Sequence, residues 1–416
     1  MNARRMYLIV STVMALSFAM TFGAVEVYKV QTVGLNALQL VLVGTVLEVS
    51  IFLFEIPTGI VADVYSRRLS MVIGLVLIGA GFMLEGSTAT FGAVLGSQVL
   101  WGIGYTFTSG ATQAWITDEV GEADVGVVFM RGSQLANLGG IAGTISAILL
   151  GSLFIQLPIV LGGALMVGLA LFMVLFMPET GFKPTPGSER STWRQMGETL
   201  RGGVRVVRGR PTLTAILFIG LFFGLYSEGF DRLNAAHLLE SFTLPDLFGL
   251  QPVAWMGIMG IIGGLLATLA LRLVEKRLDM RRARSLARAL FGVSGLLVFS
   301  LLLFGLAEGF WVAVICGWLV GIARTLIGPI EATWMNQYID SNVRATVISM
   351  RSQVDAFGQM AGGPPLGFFG ERLGIRAALV ASAVLLSPVL YLFARLLRNG
   401  MPDGADGATR VQASAD

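Results

Sequence analysis

From residue 6 to residue 397 the chain is a succession of apolar stretches separated by short polar breaks. Residues 159–177, IVLGGALMVGLALFMVLFM, carry no charge at all. In lipid a backbone N–H or C=O finds no water, so such a stretch must satisfy its own hydrogen bonds, and an α-helix does so within one segment. A span of about 20 residues crosses the hydrocarbon. Twelve spans are read this way, near 6–28, 37–61, 69–88, 92–116, 127–154, 159–177, 212–240, 252–274, 286–307, 310–334, 346–369 and 375–397. Composition agrees: 13% of the residues are charged, about half the share in a soluble domain. The expected fold class is an all-α membrane protein.

The first stretch follows Arg4 and Arg5, as a secretory signal would, but no small-residue cleavage site precedes a soluble domain. It is read as a retained span. Cys316, the single cysteine, excludes an intramolecular disulfide. The excess of Lys and Arg is a topology signal and not a nucleic-acid footprint, because 22 of the 29 fall on one side of the twelve spans. The positive-inside rule puts that side, with both termini, in the cytoplasm of an inner or plasma membrane.

The longest polar interval, 178–211, separates an N-terminal bundle (1–177) from a C-terminal one (212–398), and 399–416 reads as a disordered tail. Within the interval, Trp193, Met196 and Leu200 recur at helical spacing among arginines. An amphipathic helix on the anionic leaflet and a flexible basic linker both fit that pattern. The halves repeat. WGIGYTFTSGATQAW ends span four and VGIARTLIGPIEATW ends span ten, and an offset of 219 aligns Trp115 with Trp334 and Gly102 with Gly321. One residue out of that register, FMRGSQLANLGG meets SMRSQVDAFGQMAGG. Internal repeats of this kind build many transporters.

Between spans two and three stands EIPTGIVADVYSRRLSM, residues 55–71. Its Gly59, Asp63, Arg67 and Arg68 resemble the cytoplasmic loop motif of the major facilitator superfamily. PET at 178–180 and RATVISMRSQVDAFGQMAGGPPLG at 344–367 resemble that family's exit from span six and span eleven of its drug-exporter-like, proton-antiporting members. The resemblance implies twelve helices in two pseudo-symmetric six-helix bundles, working by alternating access. It also implies that Gly59 permits a tight turn and that Asp63, Arg67 and Arg68 form a conformational latch. Three features depart from the pattern. The loop between spans eight and nine has no Gly–Asp pair in register, Gln98 stands where exporters often carry an arginine in span four, and NLGGIAG in span five lacks a proline.

A charge at mid-bilayer costs on the order of 3 kcal/mol, so each one needs a reason. Glu48 and Glu55 share a face of span two. In span seven Glu228, Asp231 and Arg232 fall at spacings that allow local pairing, as do Arg351 and Asp355 in span eleven. Glu48 and Arg324 stand at mid-depth with no opposite charge three or four positions away in their own spans. Glu48, Glu228, Asp231, Arg232, Arg324 and Asp355 are the candidates for a cavity that binds substrate or couples a proton. Glu331, Asp118 and Glu119 read as residues of the cytoplasmic end, and His237 as interfacial. No phosphate loop, metal cluster or histidine–nucleophile pair is present, which argues against an enzyme and against any cofactor.

The expected function is secondary active transport, with a lean to proton-coupled efflux of small, partly apolar compounds. Import or uniport of a metabolite, lipid flipping and a non-transporting membrane sensor are the alternatives. The expected partners are a small-molecule substrate, a proton or other coupling ion and the lipid bilayer, with no nucleic acid and a monomeric chain.

Overall fold

The computed structural model describes residues 1–184, 207, 209–246, 249–339 and 341–398. The segment carrying Trp193, Met196 and Leu200 and the 399–416 tail lie outside the described residues. Every regular element among those described is helical. In chain order they are α1 (Ala3–Val27), continued by a π-helical turn at Tyr28–Val33, α2 (Ala37–Val64), α3 (Arg67–Ser87), α4 (Phe91–Thr108), α5 (Ala111–Val120), α6 (Glu122–Leu153) and α7 (Leu157–Phe176). There follow α8 (Pro211–Glu240), α9 (Pro252–Arg277), α10 (Ala283–Leu306), α11 (Phe310–Tyr338), α12 (Ser341–Leu373), α13 (Ile375–Leu386) and α14 (Pro388–Arg398). Ten of the twelve expected spans are long and apolar enough to cross a membrane; α4 and α12 complete the set.

Local chemistry explains the boundaries. Asn36 caps α2 in a reciprocal box with Gln39, and Ser66 and Thr90 cap α3 and α4 by accepting from Leu69 and Ala93 N–H. Span four is broken into α4 and α5 because Gly110 takes φ 74°, a left-handed conformation that interrupts the helix. Span twelve breaks at Ser387, where Pro388 has no N–H to continue the ladder. The tight turn expected at Gly59 is absent. α2 runs through Pro57 and Gly59 to Val64, and the Thr58 hydroxyl donates to Phe54 O at 2.8 Å beside the proline. The chain reverses at Tyr65–Ser66 instead.

Contacts cluster into two compact units, Met1–Met196 with Pro245–Ile258, and Gly197–Leu244 with Met259–Asp416. Inside the first, α1 packs on α6 and α7, and α3 packs on α4 and α7. Inside the second, α8 packs on α12 and α13, and α10 packs on α11 and α13. Counted as spans, these are the same four pairings: one with five, one with six, three with four and three with six. The sequence repeat is therefore also a repeat of packing. Trp115 and Trp334, aligned by that repeat, are each buried in the core of their own unit. On α6 the side chains of Leu138, Ile141, Ile145, Leu149 and Leu153 are exposed, an apolar stripe suited to lipid.

Candidate solute-binding cavity

In the second unit α8 and α12 meet backbone to backbone. A methyl group on Gly224 would overlap Asp355 O, and one on Gly362 would overlap Leu225 O. Small residues of this kind let membrane helices approach closely. The approach brings the polar faces of α8 and α12 together with that of α11 around a cavity of about 370 Å³. Its wall includes Tyr226 and Asp231 from α8, Arg324 and Glu331 from α11, and Arg351 and Asp355 from α12.

Two guanidinium–carboxylate forks organise it. Arg324 donates through both terminal nitrogens to Asp231, Nη2 to Oδ2 at 2.9 Å, and its Cζ lies 5.8 Å from the Phe230 ring. Arg351 donates through Nε to Glu331 Oε1 at 2.7 Å and through Nη2 to Oε2 at 2.6 Å. Both forks join different helices, which spacing along one helix could not reveal. The planar guanidinium matches a carboxylate at two points, fixing direction as well as distance. Arg232 donates to Glu228 on its own helix, Nε to Oε2 at 3.2 Å. Asp355 accepts from Gln359 Nε2 at 2.9 Å and, among the described residues, forms no salt bridge. The wall thus holds one more carboxylate than guanidinium.

Several sequence readings change here. Arg351 does not pair with Asp355 four residues on; both its bonds to a carboxylate go to Glu331 of α11. Glu331, assigned to the cytoplasmic end, lines the cavity and is buried. His237, read as interfacial, is fully buried, its ring nitrogens 3.0 Å from Ser241 Oγ and 2.9 Å from Phe304 O. Tyr226 and Gln359 were not singled out; their place on the wall follows from the same helical faces as Asp231 and Asp355. Glu48 lies half-buried on α2, in the first unit.

The loop residues sit at one end of the first unit. Arg67 pairs with Asp118 of α5. Glu179 accepts from Ser66 Oγ at 2.6 Å and from Arg68 N–H at 2.9 Å, and Arg68 Nη2 donates to Val174 O. Neither arginine bonds to Asp63. The carboxylate of the PET stretch therefore holds the start of α3, while Glu119 accepts from Thr180 and Gly181 N–H.

The first unit also buries a polar cluster of which the sequence reading singled out Gln98 and not Glu85. Glu85 of α3 accepts from Ser97 Oγ at 2.7 Å and from Gln98 Nε2 at 3.2 Å. Lys29 is 3% exposed, with Nζ 3.0 Å from Glu26 and 3.7 Å from Glu85. Three charges within one helical turn of a span end, at 26, 29 and 85, were the available signal.

The family model of the Major Facilitator Superfamily matches residues 7–362. The Uncharacterized MFS-type transporter YxaM of Bacillus subtilis (strain 168) is 24% identical over 362 residues, covering 85% of this chain and 86% of that protein. Among solved structures, a mutant of the nucleoside transporter NupG superposes with a TM-score of 0.76 at 15% identity, covering 95% of this chain and 99% of that one. A bacterial homolog of the human lysosomal transporter Spinster, inward-facing and occupied, superposes with a TM-score of 0.70 at 17% identity, covering 97% and 98%. At these identities the structural likeness carries the fold alone.

Proposed function

The chain belongs to the major facilitator superfamily, and from that premise we propose a secondary active transporter that works by alternating access. It binds a small polar solute at the cavity of α8, α11 and α12 and couples its movement to a proton. The observation that carries this reading is the pair of inter-helical forks, Arg324–Asp231 and Arg351–Glu331, on the wall of one cavity. A charged or hydrogen-bonding solute competes for one arm of a fork. Binding is thereby tied to the alignment of three helices, and differential interaction with two states is what shifts a conformational equilibrium. Phe223 and Ile327 add an apolar wall. The lining nevertheless favours a solute with polar groups over the partly apolar compounds to which the sequence leaned.

Efflux remains the proposed direction, on the strength of the span-eleven resemblance. Glu48 is the proposed mid-depth proton carrier and Asp63, with Arg67 and Arg68, the proposed latch. Both termini are placed in the cytoplasm. The experiment is a thermal-shift panel of polar and apolar solutes on the purified protein, followed by uptake in proteoliposomes for any compound that stabilises it. A polar solute should stabilise the parent and fail to stabilise Arg324→Ala. Stabilisation by apolar compounds alone, unchanged in Arg324→Ala, would remove the cavity from the mechanism.

A further inference from the structure

The cluster around Glu85 is unexplained by the cavity in the second unit. Glu85 is 1% exposed, and its neighbours Ser97 and Gln98 are 1% exposed. One carboxylate oxygen is satisfied twice over, by Ser97 and Gln98. The other, Oε1, makes no hydrogen bond and has only the Lys29 ammonium 3.7 Å away, and the Gln98 side-chain oxygen in the same cluster makes none either, among the described residues. Two orphaned acceptors inside a helical bundle are costly unless something donates to them.

Charge counting agrees. Among the described residues, Glu26 of α1 and Lys29 of the π-helical turn are the charged groups acting on Glu85; α2, α4, α5 and α7, which pack on α3, add none, and Tyr28 donates its hydroxyl to Glu85 O at 2.8 Å. One ammonium is shared by two carboxylates, so the cluster is one positive charge short. A metal ion at Oε1 would be repelled by the Lys29 ammonium, which already stands 3.7 Å from it. A proton needs no such room and turns Oε1 from an orphaned acceptor into a donor.

A route for it is also present. Side-chain exposure falls from 27% at Glu26 to 4% at Lys29 and 2% at Glu85. Lys29 stands in the π-helical turn at Tyr28–Val33, a kind of element that recurs at functional sites. We infer that Glu85 is a proton-binding site of the first unit, loaded from water through Glu26 and Lys29. Glu26 takes a proton from water. Lys29 gives one to Glu85 Oε1 as a torsion change closes the 3.7 Å gap, and recovers one from Glu26. The net result is one proton moved from water to Glu85, with Glu26 and Lys29 returned to their starting charges. The purpose of the site, though not its chemistry, rests on the proton-coupled reading above.

The test is infrared difference spectroscopy of the purified full chain titrated with acid. The parent should show a protonated-carboxyl carbonyl band that is lost in Glu85→Gln and kept in Glu48→Gln. Lys29→Gln should displace the midpoint at which the band grows in. The same band at the same intensity in Glu85→Gln would overturn the inference. So would an unmoved midpoint in Lys29→Gln, which serves as the second variant if Glu85→Gln fails to fold. In proteoliposomes, proton movement linked to solute should fall to background in Glu85→Gln while the solute-induced thermal shift survives; proton movement at the parent rate would also overturn it. A parent that moves solute without protons would sink the coupling reading while the infrared band still decides for Glu85.

Discussion

Arg324 of α11 holds Asp231 of α8 at two points although 93 residues separate them. The two side chains are 36% and 37% exposed, so the fork faces the cavity and is not sealed inside the bundle. That exposure limits what it adds to stability, since exposed ion pairs are worth about 0.2–1 kcal/mol. Its larger value is as a two-point receptor. Arg324→Ala should weaken solute binding by about ten- to a hundredfold, the worth of a charge-assisted hydrogen bond, with little loss of thermal stability. Arg324→Lys should not restore binding, because an ammonium has no planar fork. Titration of the solute-induced thermal shift measures both, and a fully active Arg324→Lys would refute the two-point reading.

The fork between Arg351 and Glu331 should behave in the opposite way. Its partners are 16% and 7% exposed. Removing one partner leaves the other charge buried, which typically costs about 3–5 kcal/mol. Arg351→Met should therefore lower the unfolding temperature sharply, and Arg351→Met combined with Glu331→Gln should recover much of it. Thermal unfolding of the two single variants and the double variant forms the cycle. Additive losses would show that the pair is not coupled.

Close approach of α8 and α12 gives a packing prediction. Gly224→Ala forces a methyl group onto Asp355 O and should cost about 1–3 kcal/mol, the usual range for overpacking. Gly321→Ala on α11, where a Cβ meets nothing within 4 Å, should be nearly silent. Expression level and unfolding temperature compare the two, and equal effects would contradict the packing account.

Asp63 tests the latch. Arg67 and Arg68 are already bound within the first unit by Asp118, Glu179 and Val174 O. Asp63→Asn should preserve expression and solute affinity while slowing transport. A large loss of affinity with an unchanged rate of interconversion would move Asp63 into the binding site.

Glu48 tests the coupling proposal. Glu48→Gln removes the carboxyl proposed to carry the proton and keeps its shape, so gradient-driven transport should stop while solute binding and downhill exchange continue. Counterflow in proteoliposomes separates the two activities. Gradient-driven transport at the parent rate would remove Glu48 from the mechanism and leave the coupling role to Glu85 or to the carboxylates of α8 and α12.

Twelve spans, the division into halves and the internal repeat were legible because lipid leaves a backbone few choices. About twenty apolar residues in a row must be helix, and the repeat carried from Trp115 to Trp334 into the packing of both units. Individual charges on α8, α11 and α12 were legible as costly to bury, and Asp231, Arg324 and Asp355 line the cavity. Their partners were not. Arg324 had no opposite charge near it in its own span, and Arg351 had Asp355 one turn away, yet each bonds a carboxylate on another helix.

Sequence by itself therefore determined which segments are helices and which of their side chains are expensive to bury. A polar group in lipid declares itself through composition and spacing alone. Tertiary structure decided who pays whom: Glu331 rather than Asp355 for Arg351, Asp231 for Arg324, and Lys29 with Gln98 for Glu85. Pairing across helices depends on their rotation and close approach. Those are set by glycine contacts such as Gly224 on Asp355 O, between residues too distant in sequence for any local period to register.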